Sequence, residues 1–142
     1  MSIKKKYIDS IYNLIKLVEE LRLKCPWDKE QTFDTLRNLT IEETYELSEA
    51  IILNDSEQIK NELGDILLHI IFYATIASEN EFFNLYDVSE SISNKLINRH
   101  PHVFENKKIN NRDDLKRNWE EIKLKEGNKS VLSGVPNGLP PI

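Results

Sequence analysis

Ile3, Tyr7, Ile11, Leu14, Val18 and Leu21 follow one another at three- and four-residue steps, the spacing that lines up side chains on one stripe of an α-helix. The stripe predicts an amphipathic helix that ends near Cys25 and Pro26. A second helical run, IEETYELSEAIIL, follows Thr40, and Thr40 with Glu43 has the S/T-x-x-E spacing of a capping box. Its apolar side is Ile41, Tyr45, Leu47, Ile51 and Ile52. Asn54, Asp55 and Ser56 read as a turn and N-cap, after which Glu57 to about Glu79 keeps helical periodicity without strand-like alternation. This third helix is the most apolar. Asp87 and Glu90 again have the spacing of a cap and its partner, opening a helix that runs to about Arg99 and stops before Pro101. A last helix spans roughly Asp113 to Glu126, with Gly127 as its C-terminal cap. The expected organisation is one helical domain over residues 1–127 and an extended Gly- and Pro-containing tail over 128–142.

Composition agrees with an all-α fold. A chain of 142 residues is the size of one domain, and four glycines and five prolines leave room for long helices. The net charge of −5 argues against a general nucleic-acid binder, because a phosphate backbone calls for a surplus of Lys and Arg. A small anionic ligand is compatible with that charge if a metal mediates. Cys25 is the single cysteine, so neither an internal disulfide nor a cysteine-rich zinc site can be assembled, which fits a reducing cytoplasm. Charged or polar residues interrupt the N-terminal apolar positions every few residues, so neither a signal-peptide core nor a membrane span is expected there.

The candidate chemistry lies in two carboxylate pairs, within EExxE (Glu42, Glu43, Glu46) and ExxD (Glu62, Asp65). Residues three or four apart share a helix face, so each helix offers a pair. Glu62, Asp65, His69 and Tyr73 form the one polar strip of NELGDILLHIIFYATIA, and buried carboxylates are costly unless a cation pairs them. If the two helices pack antiparallel, Glu43, Glu46, Glu62 and Asp65 converge and demand a counter-ion, for which hard oxygen ligands select Mg²⁺ or Mn²⁺. Taken alone, Glu42, Glu43, Glu46 and Glu49 read more readily as solvated surface. His69 reads as a satisfied core histidine and is left out of the site.

CPWDKEQT at 25–32, EETYE at 42–46, ELGDILL at 62–68, NRHPHVF at 98–104 and the ending SVLSGVPNGLPPI together resemble the MazG family. The resemblance implies a four-helix-bundle-like, all-α nucleoside triphosphate pyrophosphohydrolase, completed in a homodimer, that releases a nucleoside monophosphate and pyrophosphate from a ribo- or deoxyribonucleotide. By match to the family motif the Mg²⁺ ligands would be Glu43, Glu46, Glu62 and Asp65, with Mn²⁺ able to substitute, and Glu42 would orient the attacking water. Lys95 and Arg99 would hold the β- and γ-phosphates, and Trp119 and Lys123 would lie near the base and the phosphates. Without the resemblance, Trp119 reads as a core aromatic, and Lys95 and Arg99 as the basic end of a helix.

Trp27, Asp28 and Lys29 belong to a prolyl turn that either closes over the site or serves packing and capping. His100 and His102 lack the spacing and further partners of a zinc site and read as structural. Many family members carry two such domains in tandem, whereas this chain holds one copy. The rival readings are the same fold acting on another pyrophosphate compound, such as phosphoribosyl-ATP or a damaged nucleotide, and a non-catalytic nucleotide-sensing module.

Overall fold

Each long helix starts where a side-chain oxygen can accept one of the amides that a helix N-terminus leaves without a partner. The computed structural model describes residues 1–106 and 108–127, and no strand occurs among them. Helix α1 (Ile3–Lys24) opens at Ser2, whose hydroxyl accepts from the Lys5 N–H at 3.2 Å, and it ends just before the short helix α2 (Pro26–Glu30). Helix α3 (Phe33–Ile52) opens on a reciprocal box in which Thr32 Oγ1 accepts from the Thr35 N–H at 3.2 Å and Thr35 Oγ1 accepts from the Thr32 N–H at 2.8 Å.

That box corrects the expected start after Thr40, which lies in the second turn of a helix already under way and turns its hydroxyl back to the Leu36 carbonyl at 3.1 Å. Helix α4 (Ser56–Glu79) follows the expected cap, Asp55, whose carboxylate accepts from the Gln58 N–H. Helix α5 (Leu85–Arg99) begins one turn earlier than expected. Asn84 and Asp87 exchange side-chain bonds with each other's amides at 3.0 Å, so Asp87 is the box's inner partner and not the cap. Helix α6 (Pro101–Phe104) occupies the HPH turn, and α7 (Arg112–Lys125) is capped by Asn111. Gly127 ends α7 at φ +96°, the left-handed conformation that glycine adopts without strain. The tail expected over residues 128–142 lies outside the described residues.

The chain divides into two compact units, Met1–Val88 and Ser89–Ile142. In the first, Val18 of α1, Leu36 of α3, and Ile71, Phe72 and Ile76 of α4 make the core, with Leu14, Ile15, Leu39, Leu68, Tyr73 and Leu85 packed around it. All the fully buried residues of α4 lie from Ile71 onward. Earlier in that helix Leu63, Leu67 and Ile70 form an exposed ridge, and the first half of α1 leaves Ile3, Tyr7, Ile8 and Ile11 uncovered. The α1 stripe is therefore used for packing only in its second half. No helix among the described residues is long and apolar enough to cross a membrane.

Arg22 joins the three ends that meet beside this core. Its Nε and Nη2 donate to the two carboxylate oxygens of Glu79 at 2.8 and 2.9 Å, while Nη1 donates to the carbonyls of Asp28, Lys29 and Gln31 at 2.6, 2.9 and 2.8 Å. Only a planar fork with several N–H groups serves both a carboxylate and a turn of carbonyls. Arg22→Lys is therefore expected to cost about 2 kcal/mol in urea unfolding, whereas breaking the exposed Lys24–Glu20 pair with Lys24→Ala should leave the urea midpoint nearly unchanged. Equal midpoints for the two variants would show that Arg22 is not a clamp.

Candidate functional site

Helices α3 and α4 are joined only by Leu53, Asn54 and Asp55, and Asn54 takes a left-handed φ of 53° that reverses the chain. The pairing of Phe33 with Tyr73, Thr40 with His69, and Glu43 with Glu62 and Asp65 shows numbers rising on one helix as they fall on the other. The helices are therefore antiparallel, as the carboxylate argument requires. Glu43, Glu62 and Asp65 each offer an oxygen within 4.8 Å of the others, and they are the one group among the described residues with the ligand spacing of a metal site.

The electrostatics of this cluster are unfavourable for three anions. Burial, a hydrogen bond shared with Glu62, and the charges of Asp65, Glu46 and Glu62 raise the Glu43 carboxyl from its ordinary 4.5 to about 7. Two carboxylates can share a hydrogen bond only when one is protonated. With both ionised, the buried Oε2 of Glu43 and the buried Oε2 of Glu62 have no hydrogen-bond partner. Two orphaned anionic oxygens in one carboxylate cluster are what a cation would satisfy.

Of the four expected ligands, three meet. Glu46 stands outside the group, one turn beyond Glu43, close enough for its charge to act on Glu43. Glu42 is exposed and also outside it. Below the carboxylates the same interface carries Thr40, His69 and Tyr73, linked through the Thr40 hydroxyl at 2.7 Å to His69 Nδ1 and at 2.5 Å to the Tyr73 hydroxyl. His69 was expected to be a satisfied core residue, and its ring is satisfied at Nδ1. The Thr40 and Tyr73 hydroxyls carry no signal as a pair, because they are 33 positions apart.

Lys95, Arg99, Trp119 and Lys123 belong to the second unit. There Arg99 donates to Glu126 at 3.1 and 3.4 Å, Asn98 donates to the same carboxylate at 2.6 Å, and Glu126 is held below the usual carboxylate range chiefly by the Asn98 bond. This Glu126 partnership, 27 positions from Arg99, was not legible beforehand. His100 Nδ1 donates to the Leu96 carbonyl at 2.7 Å, and its ring meets Trp119 edge to face with centroids 5.7 Å apart. That contact is the packing role expected of the HPH turn, and neither of its histidines enters a ligand group among the described residues. A cleft of about 470 Å³, lined by Ile15, Arg22, Ile71, Glu79 and Leu85 among others, contains none of the clustered carboxylates.

The nucleoside triphosphate pyrophosphohydrolase of Escherichia coli (strain K12) is 39% identical over 137 residues, covering 94% of this chain and 52% of that protein. The Thermotoga maritima nucleoside triphosphate pyrophosphohydrolase/pyrophosphatase MazG is 40% identical over 124 residues, covering 86% of this chain and 47% of its own. This chain thus spans about half the length of those relatives. The crystal structure of a mazG-related protein from Thermotoga maritima superposes with a TM-score of 0.69 at 26% identity, covering 80% of this chain and 98% of that one. Residues 31–104, which include both carboxylate helices, match the MazG nucleotide pyrophosphohydrolase domain, and the chain belongs to that family.

Proposed function

We propose that this chain hydrolyses a ribo- or deoxyribonucleoside triphosphate between its α- and β-phosphates, releasing a nucleoside monophosphate and pyrophosphate. The observation that carries the reading is the cluster of Glu43, Glu62 and Asp65 with its two unpartnered buried oxygens. An all-oxygen, all-anionic donor set fits a hard divalent cation, Mg²⁺ or Mn²⁺, better than zinc or copper. Glu43, Glu62 and Asp65 would hold it, with Glu46 as the fourth carboxylate. When bound, such a cation supplies positive charge against the phosphate oxygens and lowers the pKa of water.

The protein's own groups do the remaining work. Glu42, exposed and adjacent in sequence to Glu43, accepts a hydrogen bond from the attacking water and orients it. Lys95 and Arg99 neutralise the leaving pyrophosphate, which requires Arg99 to exchange its Glu126 partner for phosphate oxygens. Trp119 and Lys123 contact the base and the phosphates. No covalent intermediate is needed, so positioning and charge provide the rate enhancement. Activity is confined to the cytoplasm in this reading. The protein acts as a homodimer, because the Leu63, Leu67 and Ile70 ridge of α4 and the exposed half of α1 call for an apolar cover that the described residues of one chain do not supply.

Three outcomes are expected. Incubation of nucleoside triphosphates with Mg²⁺ should yield monophosphate and pyrophosphate by phosphorus NMR, and diphosphate with orthophosphate would refute the proposed bond. Light scattering should give twice the chain mass, and a monomer mass at working concentration would count against the dimer.

The third outcome concerns the metal-free protein and follows from Glu43. Its folded pKa of about 7 lies above the ordinary 4.5, so the folded state binds more protons than the unfolded state between those values. The stability contributed by this group is fully present below pH 4.5 and is lost as pH rises through about 7. Urea midpoints in EDTA should fall across that window, and Mg²⁺ at a hundred times its Kd should restore about 2.7 kcal/mol at the upper end. Glu62→Gln should flatten the decline, leave stability in EDTA unchanged or higher, and respond little to Mg²⁺. Strong destabilisation in EDTA with an undiminished Mg²⁺ response would mark Glu62 as structural.

A further inference from the structure

Three contacts meet at one hydroxyl inside the α3–α4 interface. Thr40 Oγ1 lies 3.1 Å from the Leu36 carbonyl, 2.7 Å from His69 Nδ1 and 2.5 Å from the Tyr73 hydroxyl. A threonine hydroxyl has one proton and two lone pairs. The Leu36 carbonyl can only accept, so the one proton goes there. The Tyr73 O–H and the His69 Nδ1–H must then both donate to the Thr40 lone pairs. This is the only arrangement in which all three contacts are hydrogen bonds, and it fixes the imidazole as the Nδ1–H tautomer with its lone pair on Nε2.

The neighbours hold that arrangement in place. Phe33 stacks on Tyr73 with ring centroids 5.5 Å apart and planes 6° from parallel, and the His69 ring meets Tyr73 edge-on at 87°. Burial keeps His69 below the usual histidine pKa, opposed by the charge of Asp65, which favours the neutral ring whose Nε2 is an acceptor. His69 follows Asp65 by one helical turn, a rise of about 5.4–6 Å along α4.

We propose that His69 is a specificity-determining residue whose Nε2 accepts a hydrogen bond from a sugar hydroxyl of the nucleotide, and that Thr40 is the positioning residue that fixes its tautomer. This rests on the reading of the carboxylate cluster as a triphosphate site. A bare lone pair repels phosphate oxygens, which are acceptors too, so it suits an O–H donor. The sugar is the part of a nucleotide that follows the α-phosphate, at about one helical turn, and carries such donors. The polar strip of α4 thereby divides into the Glu62 and Asp65 turn, which meets phosphate through cation and carboxylate, and the His69 turn that follows it, which meets the sugar.

Two measurements test the inference on the intact chain. Nitrogen NMR of imidazole-labelled protein should show Nδ1 protonated and Nε2 bare, with the preference lost in Thr40→Val. The opposite tautomer in wild type overturns the assignment. Calorimetry with non-hydrolysable α,β-methylene triphosphates and Mg²⁺ should show the 2′,3′-dideoxy form binding about tenfold more weakly than the ribo form, the size of one good hydrogen bond. His69→Phe should erase that ratio without weakening the dideoxy ligand, and His69→Gln, which keeps an acceptor oxygen, should restore part of it. Equal wild-type affinities, or a ratio unchanged in His69→Phe, overturn this inference alone. Tight binding without hydrolysis of ordinary triphosphates overturns the proposed function alone, and no binding of either analogue overturns both.

Discussion

Everything in the first unit is arranged around a repulsion. Glu43, Glu62 and Asp65 are drawn within 4.8 Å of one another on two helices that a short turn forces to lie side by side. In a folded protein such a grouping raises the proton affinity of at least one member, and Glu43 responds with a pKa near 7. The cluster has no internal remedy, since no Lys or Arg of the first unit forms an ion pair with it among the described contacts. The fold must hold the carboxylates together by means that do not depend on them.

Those means sit at the other end of the hairpin. The buried residues of α4 begin at Ile71, six residues beyond Asp65, and Val18 and Leu36 close the core over Phe72 and Ile76. Arg22 then fastens the end of α4, through Glu79, to the turn that leads into α3. Apolar burial and a satisfied guanidinium carry the stability, and the unfavourable half of the interface extends from them. Between the two halves lies the Thr40, His69 and Tyr73 network, fully bonded at the shared hydroxyl, which makes the transition from dry core to charged cluster without an unpaired group at that point.

The legible parts of the chain are those set by local spacing. The bounds of α1 and α4, the Asp55 cap, the Gly127 stop and the convergence of Glu43 with Glu62 and Asp65 all follow from periodicity and motif. Two helix starts were misplaced, both because a later S/T/D-x-x-E pattern imitated a cap. The true caps are Thr32, whose inner partner Thr35 is a hydroxyl and not a carboxylate, and Asn84, for which Asp87 is the inner partner and not the cap. Burial was legible only in part. Periodicity marks which face of α1 is apolar, but the covering of Ile3, Tyr7 and Ile11 depends on what lies opposite, and the first unit brings nothing there. The Arg99–Glu126 pair joins positions that no local pattern relates.

Thr40 shows why the false cap and the site are one fact. A threonine followed three positions later by glutamate is favoured at a helix start because its hydroxyl can accept an amide proton. Inside a helix that amide is already bonded, and the same hydroxyl is left to donate to the carbonyl four residues back, as it does to Leu36. A threonine used in this way still has two lone pairs pointing off the helix. On an exposed face water would fill them. Here the antiparallel partner brings a histidine and a tyrosine against them, so a residue that is unremarkable by propensity becomes the point where α3 and α4 agree on register, one turn before Glu43 and one turn after Asp65. The register that satisfies Thr40 is the register that gathers the carboxylates.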